Sequence, residues 1–358
     1  MSLLKRLVEE RITLSREQAR ELMQQIFTGA FSDLQLAALL GAITARGETS
    51  EELAGFVDAM RAAATPVPLE EDEQAALVDT CGTGGDSSGT FNISTAAALV
   101  AAAAESAPGS IHLVAKHGNR AVTSECGSAD VLEALGIPVA LSPEDAASAI
   151  RRHRFAFLHA PSLHPAMKAV MPVRRALGVR TVFNVLGPLT NPAGARAQIM
   201  GVYANHLVPI VAEAMRLLGV RHAFVVHGAI GTESGSIHRP GLDEFSISGP
   251  TRLAEVYEDA ITYDRITPEQ VGLHTAPIES LRGGDAAANA KILRAIFEGE
   301  RGPHRDVVLL NAAAVLITAG AIPPSPPFRR EALRAGIDLA ARTIDSGAVT
   351  ALVTRLSA

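Results

Sequence analysis

The chain has 358 residues, of which 47% are hydrophobic, 20% charged and 4% aromatic, and its formal net charge is −6. This composition is typical of a globular protein with a large core, in one large or two unequal domains. The negative charge and the scarcity of aromatic rings argue against nucleic acid and anionic membranes as partners. Cys81 and Cys126 are the only cysteines, and the charged N-terminus is unlike a secretion signal. We therefore expect a cytoplasmic protein with reduced thiols, although a Cys81–Cys126 redox pair stays possible.

Helices are predicted for roughly the first 64 residues. Apolar residues recur at helical spacing in "LLKRLVEERI" and "EQARELMQQIF". The predicted N-caps are Ser15, Asp33, and Thr49 or Ser50. A proline-broken, acidic linker, "TPVPLEEDEQ", follows them. We expect a small all-helical domain over residues 1–66.

After the linker, short apolar runs of β type alternate with longer helical runs. The predicted strands are "ALVDTCG", "IHLVAKHG", "RTVFNVLG", "AFVVHG" and "DVVLLNA". The predicted helices are "STAAALVAAAA", "SADVLEALG", "EDAASAIRR" and "LVPIVAEAMRLLG". This alternation predicts a larger α/β domain with a mostly parallel central sheet over 67–170 and 193–358. The proline-containing stretch at about 171–192 is expected to return to the helical domain, which would leave a cleft between domains, a favoured place for a ligand.

The stretch "DTCGTGGDSSGTFNIST" places a glycine-rich loop between a predicted strand and a predicted helix. Glycines let the backbone N–H groups approach an anion closely, and a helix N-terminus adds partial positive charge. The hydroxyls of Thr90, Ser94 and Thr95 supply further donors, so the loop is predicted to bind phosphate. It matches neither the nucleotide-hydrolase P-loop nor the dinucleotide-binding fingerprint. Asp86 within it implies a neighbouring cation or ribose hydroxyl; the alternative is a structural turn capped by Asp86.

Two later stretches carry charged residues in the same kind of setting. "AKHGNRAVTSECGSADVLEALG" puts Lys116 and Arg120 at the carboxyl end of a strand, where open α/β sheets bind ligands. The alternative for these two residues is a solvated strand end. "GLDE" puts Asp243 and Glu244 side by side in a loop, and such a pair can hold Mg²⁺ together with substrate phosphates. The alternative for the acidic pair is a solvated turn.

Taken together, these stretches resemble the anthranilate phosphoribosyltransferase family. The shared motifs are "GTGGD", "FNIST", "KHGNR", "GSADVLEALG", "HPAMK", "VRRALGVRTVFNVLGPLTNP", "GLDE" and "GGDAAANA", in the family's order. The resemblance implies the two-domain fold of nucleoside phosphorylases and such transferases, and a homodimer joined through the helical domains. It also implies magnesium-dependent transfer of the 5-phosphoribosyl group from phosphoribosyl pyrophosphate to the amino group of anthranilate. The products would be N-(5-phosphoribosyl)anthranilate and pyrophosphate, in tryptophan biosynthesis.

The resemblance further assigns residues to the site. Those implied for the phosphoribosyl donor are Gly82, Gly85, Asp86, Thr90, Asn92, Ile93, Ser94, Thr95, Lys116, His117, Gly118, Asn119, Arg120, Ala121, Val122, Thr123, Ser124 and Ser128. Those implied for anthranilate are Gly82, Asn119, His164 and Arg174, although His164 could be structural and Arg174 a surface residue. Those implied for two magnesium ions per active site are Ser94, Asp243 and Glu244. No catalytic residue is assigned, because an aromatic amine is already neutral at pH 7 and positioning with electrostatics can accelerate the departure of pyrophosphate.

The chain departs from the family pattern in three places. Residues 229–240 lengthen the connection between "VVHG" and "GLDE", "APGSIH" is a short insertion, and Cys126 stands where serine is common. Three alternatives stay open: a pyrimidine-nucleoside phosphorylase-like enzyme, a non-catalytic relative of the fold that binds nucleic acid, and an inactive structural protein, which the intact loops disfavour.

Overall fold

A computed structural model of the chain describes residues 3–106, 111–121, 125–231, 241–323 and 330–358. The predicted donor contacts Val122, Thr123 and Ser124 lie outside these ranges, as do most of the 229–240 loop and of the "APGSIH" insertion. Among the described residues, no helix has the length and apolar character that crossing a membrane requires.

The described elements begin with helices, continue with strands and helices, and end with the helices that follow β8. The α-helices are α1 Leu3–Lys5, α2 Arg16–Phe27, α3 Asp33–Arg46, α4 Ser50–Ala62, α5 Glu71–Ala76, α6 Ile93–Ala103, α7 Ser128–Ala134, α8 Pro143–His153, α9 Ala160–Leu163, α10 Met171–Leu177, α11 Val182–Leu186, α12 Leu207–Leu217, α13 Ala286–Phe297, α14 Pro303–Thr318, α15 Arg330–Asp345 and α16 Ala348–Leu356. A π-helical turn spans Arg6–Glu10, and 3₁₀ turns span Pro165–Ala169, Gly187–Thr190, Pro268–Val271 and Ile278–Leu281. The strands are β1 Leu77–Gly82, β2 Leu113–Gly118, β3 Phe155–His159, β4 Ala197–Gly201, β5 His222–Ala229, β6 Gly241–Leu242, β7 Thr251–Tyr257 and β8 Ala260–Ile266.

Side-chain caps fix the starts of the N-terminal helices. The Ser15 hydroxyl accepts a hydrogen bond from the Gln18 backbone, and Thr49 accepts one from Glu52 in the same way. The predicted caps Ser15 and Thr49 are therefore confirmed. The predicted cap Asp33 is wrong by one position, since Ser32 caps α3 and Asp33 is its first residue. A carboxylate in the first turn still stabilises a helix, because it interacts favourably with the positive end of the helix dipole. This explains why an acidic residue stands at the start of α3.

The central sheet has the strand order β3-β2-β1-β4-β5-β7-β8, with β6 paired to β5. The pairs from β3 to β5 are parallel, while β6, β7 and β8 join in antiparallel fashion. The sheet is thus mostly parallel on one side, as predicted, with an antiparallel extension that the sequence did not indicate.

Two of the predicted strands are wrong. "RTVFNVLG" forms the short helix α11, and "DVVLLNA" lies within the long helix α14. Every residue of α14 from Val307 to Thr318 is buried, so no side of this helix segment faces solvent. A buried helix and a buried strand give the same apolar run, and periodicity cannot separate them.

Apolar cores lie on both faces of the sheet. One contains α6 and α14, with residues such as Leu99 and Leu310. Another contains α2, α4 and α12, and it also includes Val173 and Phe183 from the stretch at 171–192. This stretch therefore packs with the N-terminal helices, and it lies beside the carboxyl ends of the parallel strands.

Candidate functional site

The glycine-rich loop begins where β1 ends. Gly84, Gly85 and Gly89 have φ values of +67°, +74° and +68°, a left-handed conformation that side chains with a Cβ rarely adopt. Ser87 also has a left-handed φ of +59°. The loop therefore turns its backbone in a way that its glycines permit, as the sequence indicated.

Asp243 comes directly against this loop. Its Oδ2 accepts a hydrogen bond from the backbone N–H of Gly84 at 2.7 Å. A Cβ on Gly82 would lie 2.1 Å from that carboxylate oxygen, and a Cβ on Gly201 would lie 1.5 Å from the Asp243 carbonyl oxygen. The ends of β1 and β4 therefore need glycine so that the acidic segment can approach.

Glu244 contacts the start of α6. Its Oε1 accepts a hydrogen bond from the backbone N–H of Ser94 at 3.1 Å. An N-terminal N–H group of a helix has no partner within the helix, and the dipole favours an anion there. The acidic pair is thus not a solvated turn, because each carboxylate is held by a different end of the glycine loop.

Lys116 joins the second predicted stretch to the first. Its side chain is 1% exposed, and its ammonium group donates to the Thr80 carbonyl at 2.6 Å and to the Ser94 hydroxyl at 3.2 Å. The alternative of a solvated strand end is therefore excluded for Lys116. Three segments, adjoining β1, β2 and β6, meet around Ser94.

The acidic pair brings two buried carboxyl groups of like charge side by side. Burial, together with Asp86 and Glu244 as like charges, raises the pKa of Asp243 well above its usual value. Burial raises the pKa of Glu244 to about 7, although the nearby Lys116 acts in the opposite direction. Such carboxylates are stabilised when a cation binds between them. The described residues contain no group of three or more histidine, cysteine or acidic side chains that could hold a metal ion by themselves. The pair fits Mg²⁺, which protein sites commonly bind through one or two carboxylates while substrate phosphates complete the coordination.

Several residues implied for donor binding have side chains that point into the protein. Ile93 is 1% exposed and Thr95 is 0% exposed, so a donor would reach these two residues only at their backbone. Arg120 is exposed, but its guanidinium is paired with Asp130 and Glu133. The positive charge of Arg120 is therefore already balanced by two carboxylates of the protein itself.

The described residues on either side of 122–124 are held by polar groups of the second stretch itself. The Asn119 carboxamide oxygen accepts from the Arg120 backbone at 2.7 Å, and Asp130 accepts from the Ala121 backbone at 2.8 Å. Ser128 is the first residue of α7 and is half-buried. Cys126 is buried, and both cysteines are free thiols.

His117 and His164 lie together beside this turn, with ring centroids 5.1 Å apart. Both Nε2 atoms are buried, and neither has a hydrogen-bond partner among the residues that the structure describes. Burial, to which the nearby His164 adds, lowers the pKa of His117 to about 3, and burial lowers the pKa of His164 to about 4. The two neutral rings therefore offer polar nitrogen atoms without adding positive charge.

Arg174 supplies a cation on the returning stretch. Its guanidinium lies 5.3 Å from the centroid of the Phe183 ring, and burial lowers its pKa. In the described part of the chain no carboxylate forms an ion pair with it. A half-buried guanidinium that has no carboxylate partner among the described residues is suited to an anionic ligand. Arg174 is therefore not the solvated surface arginine of the alternative interpretation.

Sequence reasoning missed two groups that hold the site. Asp79 is fully buried and accepts hydrogen bonds from the His117 backbone at 3.1 Å and the Asn191 side chain at 2.8 Å. Burial raises the pKa of Asp79 to about 6. Asn289 donates to the Asn92 side chain at 2.9 Å. The only available signal was that Asp79 and Asn289 fall inside quoted motifs, where no role had been assigned to them.

Comparisons with known proteins agree with this arrangement. The helical bundle domain of the glycosyl transferase family matches residues 1–64, and its a/b domain matches residues 74–350. An anthranilate phosphoribosyltransferase of Solibacter usitatus is 48% identical over 354 residues, covering 99% of this chain and 96% of the relative. The chain belongs to the anthranilate phosphoribosyltransferase family. The matched domains also confirm the predicted fold class, a small all-helical domain with a larger α/β domain.

Solved structures of anthranilate phosphoribosyltransferases share the fold. The crystal structure of the Thermus thermophilus enzyme matches with a TM-score of 0.86 and 42% identity, covering 100% of this chain and 98% of that one. The Saccharomyces cerevisiae structure in complex with PRPP and Mg matches with a TM-score of 0.83 and 25% identity, covering 99% and 95%.

Proposed function

We propose that this chain transfers the 5-phosphoribosyl group from phosphoribosyl pyrophosphate to the amino group of anthranilate. The products are N-(5-phosphoribosyl)anthranilate and pyrophosphate, and the reaction serves tryptophan biosynthesis. The observation that carries the proposal is the meeting of the glycine loop, Lys116 and the acidic pair around Ser94. Family membership supports the choice of substrates.

The glycine loop and the start of α6 are proposed to bind the donor through backbone N–H groups. Gly82, Gly85, Asp86, Thr90 and Ser94 lie along this path, and none of these residues is fully buried. The buried ammonium group of Lys116 donates a hydrogen bond to the Ser94 hydroxyl. It also lies close enough to Glu244 to counteract part of the rise in the pKa of that carboxyl group. We infer that Lys116 orients these groups rather than reaching the donor directly.

Asp243, Glu244 and Ser94 are the residues proposed to hold magnesium, at two ions per site. When bound, the metal would spread the negative charge that builds up on the departing pyrophosphate. The chain's own groups have a separate task. The loop positions the anomeric carbon, and the aromatic amine, which is already unprotonated at pH 7, is free to attack it.

Arg174, Asn119, His164 and Gly82 are proposed to bind anthranilate. The planar guanidinium of Arg174 matches a carboxylate in bidentate fashion, and its lack of an acidic partner in the described residues leaves it available. The Nε2 of His164, unpaired within the described part of the chain, can accept a hydrogen bond from the substrate. His117 is placed beside it, so it belongs to the same wall of the site.

The test is a fluorescence assay that follows the loss of anthranilate in the presence of phosphoribosyl pyrophosphate and Mg²⁺. We expect turnover that EDTA abolishes and that added Mg²⁺ restores. A parallel incubation with uridine or thymidine and inorganic phosphate should release no base. Base release without use of phosphoribosyl pyrophosphate would instead establish the phosphorylase alternative.

We further infer a homodimer joined through the helical domains, composed of residues 1–66 with the stretch at about 171–192. The exposed large apolar side chains Val8, Leu34 and Val179 support it, because Leu34 is 84% exposed and all three lie on that part. Light scattering during size-exclusion chromatography should give twice the chain mass. Leu34→Glu should halve it, whereas Tyr263→Glu, at an exposed position on β8, should not. A cytoplasmic location stays a prediction, which cell fractionation tests.

A further inference from the structure

Arg180 contacts the glycine loop from the returning stretch. Its guanidinium donates a hydrogen bond to the Gly85 carbonyl at 2.8 Å, across 95 positions of sequence. The same guanidinium lies over the ring of Tyr203, 4.4 Å from its centroid. In the described residues it makes no ion pair with a carboxylate. The side chain thus contacts both a loop carbonyl and an aromatic face.

Tyr203 is itself tied to the loop. Its backbone N–H donates to the Thr83 hydroxyl at 3.0 Å, and the Thr83 backbone N–H donates to the Gly201 carbonyl at 3.0 Å. The end of β4 thus holds the start of the glycine loop, and Arg180 holds the next turn of the loop by stacking on the same tyrosine. Stacking of a guanidinium on an aromatic ring restricts its orientation and so sharpens the direction of its hydrogen bond.

The stretch that Arg180 contacts lies between two anchored positions of the loop. Gly85 has a left-handed φ of +74°, and it lies between Gly84, held by Asp243, and Gly89, whose carbonyl accepts from the Gly283 backbone. A glycine-containing segment samples many backbone states unless contacts restrict it. A hydrogen bond to the Gly85 carbonyl selects the state in which the neighbouring N–H groups keep one orientation.

We propose that Arg180 is a positioning residue that pre-organises the glycine loop for the phosphoribosyl donor, acting through the Gly85 carbonyl. The part concerning the donor rests on the proposed function. Arg180 is not among the residues that the family resemblance assigns to the site. Its role also differs from that of Arg174, whose guanidinium lies over the Phe183 ring instead. Pre-organisation lowers the ordering cost of binding, so its loss should weaken donor binding more than anthranilate binding.

The experiment compares Arg180→Gln and Arg180→Lys with Arg196→Gln. Arg196 is an exposed arginine whose partner is Glu71, so its variant removes the same charge away from the loop. The first measurement is hydrogen–deuterium exchange of peptides covering residues 82–92 in the protein without ligand. We expect faster exchange in Arg180→Gln, an intermediate rate in Arg180→Lys, and the wild-type rate in Arg196→Gln.

The second measurement is the KM for each substrate. Arg180→Gln should raise the KM for phosphoribosyl pyrophosphate by about fivefold to tenfold, the range expected for one charged hydrogen bond at a partly solvated site, while the KM for anthranilate changes by less than about twofold. Circular dichroism checks that the variant remains folded.

The outcomes separate the two proposals. Wild-type exchange in Arg180→Gln would overturn the positioning role, and so would an increase confined to the KM for anthranilate. If Arg180→Lys kept both the wild-type exchange rate and the wild-type KM for phosphoribosyl pyrophosphate, a positive charge alone would suffice. That result would contradict the proposed dependence on a planar, stacked group. Faster exchange in Arg180→Gln together with a wild-type protein that does not use phosphoribosyl pyrophosphate would support the contact with the loop and refute the transferase.

Discussion

The carboxylate of Asp243 and the backbone N–H of Gly84 form a 2.7 Å hydrogen bond that links the acidic pair to the glycine loop, 159 positions earlier in the chain. The bond requires that no Cβ stands at the end of β1, because one on Gly82 would lie 2.1 Å from the Asp243 carboxylate. A hydrogen bond between two loops therefore depends on a third residue that takes no part in it.

Gly82→Ala should displace Asp243 and reduce both stability and turnover. Overpacking of this kind typically costs about 1–3 kcal/mol, and we expect turnover to fall at least tenfold since the acidic pair moves. Urea unfolding and the anthranilate assay measure the two effects. Gly41→Ala is the matched control, because a Cβ there meets nothing within 4 Å and helix α3 gains about 0.5–1 kcal/mol from the exchange. Equal behaviour of the two variants would refute the steric argument.

Asp243→Asn should lower magnesium-dependent turnover while making the metal-free protein more stable. Burial and neighbouring like charges disfavour the ionised carboxylate, and the neutral amide removes this repulsion. Thermal unfolding with and without Mg²⁺ tests the claim. The stabilisation by Mg²⁺ should shrink in Asp243→Asn and persist in Asp338→Asn, which changes an exposed acid on α15. Equal stabilisation of both variants by Mg²⁺ would exclude Asp243 as a ligand.

Arg174→Ala should raise the KM for anthranilate about tenfold to a hundredfold, with a smaller change in the KM for the donor. The estimate corresponds to losing a hydrogen-bonded pair with a charged group. Arg175→Ala, at the exposed neighbouring position, should retain both constants. Steady-state kinetics with each substrate varied in turn make the comparison, and an unchanged KM for anthranilate would remove Arg174 from the site.

Asp79 should make stability fall between about pH 4 and pH 6. Burial raises its folded-state pKa from 3.8 to about 6, so the folded protein holds the proton over a range in which the unfolded chain has released it. Stability from this group is therefore complete below pH 4 and is lost as pH rises through 6. Urea unfolding of the wild type and Asp79→Asn, without divalent cations, gives the difference in unfolding free energy at each pH. That difference should decline across the window, and a constant difference would contradict the raised pKa.

Local chemistry made much of the fold predictable. Ser15 and Thr49 cap helices because their hydroxyls satisfy N–H groups only a few positions away, and Gly84 and Gly85 turn the backbone wherever the loop lies. The alternation of apolar runs likewise indicated a mostly parallel sheet. By contrast, the buried run "DVVLLNA" became helix α14, since an element that is buried on every side carries no periodic signal.

For the site, the sequence by itself determined which segments carry donors, carboxylates and cations, because those properties belong to the residues. Only the tertiary structure decided how each charge is used. Lys116 is buried under Ser94, Arg120 is matched by Asp130 and Glu133, and Arg174 and Arg180 lie on aromatic rings. Charge is local, whereas burial and pairing depend on residues far away in the chain, and no short stretch of sequence specifies which of them will become neighbours.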